Sequence, residues 1–472
     1  MAEAEVVVVG AGPNGLSAAV ALARAGCRVT VFEAEDHIGG GTRTEELTLP
    51  GFRHDVCSAV HPMAASSPFF RQLPLAEHGL EWIHPPVLLA HPFDDGTAAV
   101  LLRSIPDTAA QFGADERAYR RLMDPFVENW EALLREALAP PLHVPRHPLL
   151  LARLGVLGLQ PAQTLTRRRF ETDRARALLV GIASHTLLPM NWSPSAAYAI
   201  VLAVAGHGAG WPVARGGSQA VTNALAGLLR SHGGRIETGA PVDDVDALPA
   251  ADAVLLDLTV RQVLAVAGHH LPVRYRRHLE RFRYGPGVFK MDWALSEPIP
   301  WTAETCRRAG TLHLGGSSAE VVRSAEAAWE GRYDEQPFII LAQQSLFDSS
   351  RAPNGQHTAW GYCHVPHGST RDMTEPIERQ IERFAPGFRD TILARSTLNT
   401  RQLQKHNANL IGGDINGGAQ DLMQFLFRPV PSWDPYATPA RGLYICSSST
   451  PPGGAVHGMC GYHAAQSALR RL

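Results

Sequence analysis

Two glycine-rich stretches at opposite ends of the chain hold the residues best suited to chemistry. Near the start, a β-branched run from Glu5 to Val9 reads as a fully buried strand and leads straight into Gly10-Ala11-Gly12-Pro13-Asn14-Gly15. Small and apolar residues from about Pro13 to Ala25 then predict a helix, which Gly26 ends. Arg28 to Phe32 predicts a second strand, with Glu33 at its tip and Ala34 after it. In this setting the glycines form a dinucleotide fingerprint. Gly10 permits the tight turn, Gly12 lets the backbone approach a pyrophosphate, and Gly15 lets the helix pack on the strand. The helix N-terminus offers N–H groups and partial positive charge to the phosphates. Glu33 is placed to accept hydrogen bonds from both ribose hydroxyls and to repel a 2′-phosphate. The expected ligand is a dinucleotide without that extra phosphate.

The fingerprint suits NAD and FAD alike, and two further features favour FAD. Gly39-Gly40-Gly41-Thr42-Arg43 follows Glu33 at short range, where backbone amides and Arg43 reach a pyrophosphate. At the far end a predicted strand, Gly442 to Cys446, runs into Pro451-Pro452-Gly453-Gly454-Ala455-Val456-His457-Gly458 and then a helix. A helix N-terminus aimed at an isoalloxazine stabilises the negative charge of reduced flavin near N1 and O2. The expected cofactor contacts are therefore Gly10, Gly12, Pro13, Asn14, Gly15, Glu33, Ala34, Gly40, Gly41, Thr42, Arg43, Gly454, Val456, His457 and Gly458. Histidines exchange protons near neutral pH. His457 in the terminal loop, His61 after the glycine cluster and His207 before Gly216-Gly217 are candidates among the 21 present.

Several elements must hold these residues. A helical reading covers most of Phe69 to Trp211, including Ala114 to Ala137. Gly216-Gly217 precedes a helix from about Ser218 to Arg230, and Arg235 to Val242 reads as strand, turn, strand. Short strands are expected at Ala253 to Leu256, Val288 to Leu295 and Phe338 to Leu341, and a last helix from about Met459 to Arg471. With 472 residues, two domains are expected. Hydrophobic residues at 45% and charged residues at 19%, with a net charge of -2, fit a soluble globular chain and give no field for nucleic acid. Six cysteines form no Cys-x-x-Cys pair or metal-ligand cluster, and no metal is expected. The N-terminus lacks the basic start of a secretory signal, and Ala196 to Ala205 is too short to span a bilayer, so the expected location is the cytoplasm. Pro145 to Arg169, which joins an apolar HPLLLARLGVLGLQ to Arg167-Arg168-Arg169, is a candidate for peripheral membrane contact.

The stretches VVVVGAGPNGLSAAVALARAG, HIGGGTRTEELTLPGFRHDVCSAVHP, WPVARGGSQAVTNALAGLLRSHGGRIETGAPVDDV and RGLYICSSSTPPGGAVHGMCGYHAAQSAL, at the start, middle and end of the chain, carry a resemblance. Together with LNTRQLQKHNANLIGGDINGGAQDLMQFLFRPVPSWDPY, they resemble the phytoene desaturase-like branch of FAD-dependent oxidoreductases, within the amine-oxidase-like superfamily. They are similar also to relatives likened to pyridine nucleotide-disulfide oxidoreductases, though no cysteine pair supports the disulfide part of that name. The resemblance implies an α/β fold with a Rossmann-type, p-hydroxybenzoate-hydroxylase-like FAD domain from residues 1–68, 212–287 and 410–472. An inserted α+β substrate domain would comprise residues 69–211 and 288–409. It also implies that Val242 sits in a strand whose backbone contacts the adenine. PGVFKMDWALSEPIPW is similar to the strand on which amine oxidases carry a lysine that holds a water near flavin N5, which makes Lys290 the first catalytic candidate. The chain has only one other lysine, Lys405, which sharpens the point. Ser447-Ser448-Ser449 and His457 depart from the family pattern and leave the substrate open.

The expected activity is FAD-dependent dehydrogenation of a lipophilic or specialised-metabolite substrate, with oxygen or a quinone as diffusing acceptor, since no second nucleotide fingerprint is present. Amine oxidation, redox-neutral isomerisation and a non-catalytic flavin-binding role are the alternatives. Oligomeric state leaves no signal in the sequence.

Overall fold

The computed structural model describes residues 4–472. Its first layer is a five-stranded parallel sheet with Glu5–Val9 at the centre. Arg28–Phe32 pairs on one side and Ala253–Leu256 on the other, with Arg235–Glu237 and Leu443–Ile445 at the edges. Val6 to Val9 are all buried, as a strand covered on both faces requires. Helices Pro13–Arg24, Gln219–Ser231 and Met459–Leu469 pack on this sheet.

Backbone meets backbone at two points here. A Cβ on Gly15 would stand 2.0 Å from the Gly10 carbonyl oxygen, and one on Gly461 would stand 1.8 Å from the Asn14 carbonyl oxygen. No larger residue lets the first and last helices approach so closely. The two ends of the chain are thereby locked together.

The second layer is a seven-stranded mixed sheet, in the order Ile392–Leu398, Gly287–Leu295, His357–Val365, Ile339–Ala342, Ala309–Leu314, Val87–Pro92, Ala98–Leu101. Helices Glu116–Val127, Asp173–Ala183 and Ser195–Ala209 cover one face and share its core. Ser195–Ala209 contains the apolar run read from the sequence, and its core-facing residues are buried.

Three local expectations are corrected. Val87–Pro92 and Ala98–Leu101 are strands inside a stretch read as mostly helical, because four- to six-residue apolar runs suit either element and sheet pairing decides. The helix expected from Ala114 to Ala137 breaks at Glu128-Asn129, giving Glu116–Val127 and Trp130–Ala137. Val242 lies in a loop and not in a strand: Gly239 and Ala240 donate to the carbonyls of Glu35 and Glu33, and Pro241 has no N–H for a ladder.

Candidate active site

A cavity of about 720 Å³ runs from the glycine-rich loop to the mixed sheet and is lined by residues from both layers. At its first end lie Gly10, Gly12, Pro13 and Asn14, with Gly40, Gly41 and Arg43 facing them. Glu33 sits at the strand tip, nearly buried; its Oε2 accepts from Ala11 N–H at 2.7 Å and its Oε1 from Glu35 N–H at 3.1 Å. These two bonds fix the carboxylate where a ribose would meet it. Ala34 and Val242 line the same end. Arg43 is held by the carbonyls of Gly40 (3.3 Å) and His406 (2.9 Å), so its guanidinium is positioned before any phosphate arrives.

Gly15, Thr42 and Gly458 stand behind the wall instead of on it. Gly15 N–H donates to Asp257 Oδ2 at 2.8 Å, and Thr42 donates to the Gly39 carbonyl at 2.8 Å. Gly458, in a left-handed conformation, packs against Ser17 and Phe70 and caps the last helix. Their role is to shape the loops.

Asp257 was not foreseen. It follows the strand Ala253–Leu256, lines the cavity beside the phosphate loop, and is pushed up to about 7 by burial and the Glu33 charge, against the Gly15 hydrogen bond. A carboxyl that holds its proton near neutrality repels a pyrophosphate less than an ionised one. Its only sequence signal was its place at the end of a parallel strand, where ligands of open α/β sheets bind.

The terminal loop brings Gly454, Val456 and His457 to the cavity wall. Met459 N–H donates to His457 Nδ1 at 3.0 Å, which leaves the ring proton on Nε2. Nε2 is buried without a partner among the described residues, and burial lowers His457 to about 4. At neutral pH His457 is therefore an uncharged donor at the start of the Met459–Leu469 helix. His61 has the same protonated nitrogen: Ser218 Oγ donates to the Ser58 carbonyl (2.6 Å), so His61 Nε2–H donates to Ser218 Oγ (2.8 Å). Its Nδ1 is bare, and burial holds it at about 4. His207 lies outside the cavity lining, bonded to the Tyr119 hydroxyl and the Arg103 carbonyl, and is excluded as a site residue.

Lys290 lines the cavity from the middle of Gly287–Leu295 and is buried. Two residues along on the same strand, and so on the same face, Asp292 Oδ2 accepts from its ammonium. Burial pushes Asp292 up to about 6 against the pull of Lys290. His54 Nδ1 approaches the other Asp292 oxygen at 3.6 Å, and burial with the Lys290 and Arg351 charges lowers it to about 3. Beside it Asp55 pairs with Arg351 at 2.6 Å and accepts from Ser218 N–H and Thr44 Oγ1, both at 2.8 Å. Lys290 is thus one member of a buried charge network, and its ammonium is held at a fixed point on the wall. The partners Asp292, Asp55 and Arg351 were missed. Outside the cavity, the exposed carboxylate of Asp246 meets His269 (3.1 Å) and His270 (2.6 Å), a grouping likewise unforeseen.

The family described as flavin containing amine oxidoreductase matches residues 14–271. The chain is 27% identical to pyridine nucleotide-disulfide oxidoreductase domain-containing protein 2 of Rattus norvegicus, over 100% of this chain and 94% of that protein. A limonene dehydrogenase subunit of Castellaniella defragrans is 25% identical over 100% and 95%. Hydroxyneurosporene desaturase of Cereibacter sphaeroides is 31% identical over 50% of each. Among solved structures, an oxidoreductase from Methanosarcina mazei superposes with a TM-score of 0.68 at 16% identity, covering 99% of this chain and 100% of that one. A triple mutant of putrescine oxidase gives 0.66 at 17%, covering 100% and 99%. All six cysteines are free, so the disulfide in the first relative's name has no counterpart here.

Replacing Lys290 by Met strands a buried Asp292, and a loss of roughly 3–5 kcal/mol of stability is expected. Adding Asp292→Asn recovers most of it, as measured by denaturant unfolding of both variants. A second expectation concerns pH. The buried histidines His54, His61, His91, His185, His364 and His457 have folded values of about 3 to 4, below the ordinary 6.5. Between those values the unfolded chain binds more protons, so stability falls as pH drops from 6.5 toward 4. Asp257 and Asp292 oppose this trend but are fewer. Melting temperatures are expected to fall by roughly 10 °C or more from pH 7 to pH 5.

Proposed function

This chain belongs to the flavin containing amine oxidoreductase family, and within it we propose the dehydrogenation of a lipophilic, uncharged substrate. FAD, held by the Gly10 to Gly15 loop, Glu33, Arg43 and the 454–457 segment, supplies the acceptor for a hydride. A diffusing oxidant, oxygen or a quinone, completes the cycle in this reading.

The observation that carries the proposal is the apolar part of the cavity wall. Leu151, Leu154, Val201, Leu202, Ile340, Trp360 and Leu403 line it. The carboxylates on the lining are elsewhere or occupied: Glu33, Glu35, Asp243 and Asp257 belong to the dinucleotide end, and Glu136 accepts from His143 (2.6 Å) and from Arg146 and His147 N–H. An ammonium brought into this wall would lose its water without gaining a counter-charge. The wall suits a neutral molecule, which supports desaturation over amine oxidation. The relatives named as a hydroxyneurosporene desaturase and a limonene dehydrogenase agree with this reading.

One helix of the cavity wall supports a second part of the proposal, peripheral contact with a membrane surface. Helix Pro148–Gly158 contributes Leu151, Leu154, Gly155 and Gly158 to the lining and turns Leu149 (86% exposed) and Val156 (72%) outward. Val144 (91%) precedes it, and Met423 and Phe427 flank the lining residues Phe425 and Leu426. Arg146, Arg153 and Arg167 to Arg169 are close in sequence, a pattern suited to anionic headgroups. No helix among the described residues is long and apolar enough to cross a membrane.

Under anaerobic conditions, long-chain hydrocarbons and their alcohols are expected to bleach the bound flavin, while primary amines of equal length do not. Bleaching by the amines alone would overturn the reading. In a separate assay, sedimentation with anionic phospholipid vesicles is expected to carry the protein down, and Leu149→Glu with Val156→Glu to abolish this. Equal sedimentation of the variant would remove the membrane surface from the proposal.

A further inference from the structure

Away from the cavity, four side chains that suit a metal ion meet on the surface of the nucleotide-binding layer. Asp244 caps the single 3-10 turn Val245–Ala247, which includes Asp246. His269 and His270 close a second such turn, Gly268–His270. Between the two carboxylates, Val245 packs against a core cluster that includes Val266, Ala267 and Leu271. The turns are thus held together from below, while the carboxylates and imidazoles above them are exposed.

His269 Nε2 lies 3.1 Å from Asp246 Oδ2 and 3.4 Å from Asp244 Oδ1. His270 Nε2 lies 2.6 Å from Asp246 Oδ1. The ligand atoms of Asp246, His269 and His270 all fall within 4.8 Å of one another. Asp244 is fixed by its own turn, because Asp246 N–H donates to its Oδ1 at 2.9 Å. Hydrogen bonds from His270 and His269 hold Asp246 below the ordinary carboxylate range, so it is ionised at neutral pH.

A tetrahedral ion with bonds of about 2.0–2.1 Å sets its ligands about 3.3 Å apart. Two of the three nitrogen–oxygen separations already stand near that value. The third, at His270, must open by about 0.7 Å, a small movement for an exposed ring. Two imidazole nitrogens with carboxylate oxygens suit zinc, cobalt, nickel or copper, whereas magnesium and calcium take oxygen ligands.

We propose that Asp244, Asp246, His269 and His270 bind a zinc-class divalent ion, and that this ion clamps the dinucleotide end of the cavity. Without the ion, each imidazole Nε2–H donates to Asp246. The ion takes the place of those two protons, and each neutral ring keeps its proton on Nδ1. Ala240, Pro241, Val242 and Asp243 line the cavity and run directly into Asp244. Val266, on the helix Val260–Ala267 that leads to His269, lines it too, and Val242 packs against the same cluster. An ion that ties the first segment to the second holds two walls of the cofactor's end together and slows the escape of FAD.

The test uses tag-free, FAD-loaded protein freed of metal with a chelator. Calorimetry with zinc chloride is expected to show one ion bound per chain, and magnesium chloride to give no binding. Asp246→Asn and His270→Gln, both at exposed positions, are each expected to weaken zinc binding roughly tenfold or more. Absence of zinc binding, or equal affinity in the native protein and both variants, overturns the site. Flavin fluorescence after dilution then follows FAD release. Zinc is expected to slow release severalfold in the native protein and to leave it unchanged in His270→Gln. Equal release with and without zinc, in native protein that binds the ion, overturns the clamp. Neither readout needs turnover, so a flavin that no substrate bleaches would sink the proposed reaction and leave this result readable.

Discussion

The close contact of the first and last helices underlies the rest of the molecule. With Gly15 against the Gly10 carbonyl and Gly461 against the Asn14 carbonyl, backbones touch where side chains would ordinarily intervene. That contact brings the start of the first helix, at Pro13, and the loop leading into the last helix, at Gly454 to His457, to one crevice. The partial positive charge at Pro13 suits an anionic dinucleotide. Side chains then refine what backbone has set up: Glu33 is clamped by two N–H groups, and Arg43 by two carbonyls.

Polar groups in the interior follow a different logic in each half of the cavity. Around the Lys290–Asp292 and Asp55–Arg351 pairs, charges are buried together and answer one another. Such networks add little net stability but fix geometry, since any one member removed leaves its partner unpaired. Around His185 the same low-dielectric surroundings keep the imidazoles neutral. An apolar chamber with one fixed charge cluster and neutral imidazoles offers few ionic anchors.

Legibility of the sequence followed the range of the interactions. The loop Gly10 to Gly15, the strand ending at Glu33 and the terminal loop around His457 depend on neighbours a few residues away, and spacing alone exposed them. Asp257 bonds to Gly15 across 242 residues and Arg351 to Asp55 across 296, and no local pattern marks either. The neighbours His313 and His91 were invisible for the same reason: they meet only once two strands take a particular register. Val242 shows the reverse error, where a family pattern suggested a strand and a local Gly239-Ala240-Pro241 turn prevented it. The strands Val87–Pro92 and Ala98–Leu101 were hidden because a short apolar run has no period long enough to separate helix from sheet.

The five parallel strands come from residues 5–32, 235–256 and 443–445, so the nucleotide-binding layer is assembled from beginning, middle and end of the chain. During synthesis the first two strands leave the ribosome long before their sheet has its third, fourth and fifth members. The apolar face of Pro13–Arg24 has no Gly461 to dock against until the final turns of backbone appear. Pairings so distant in sequence form slowly, because loop closure must be met before contacts reward it. For most of its translation the nascent polypeptide therefore presents an open β-edge and an uncovered helix, the surfaces on which chaperones act and aggregation starts.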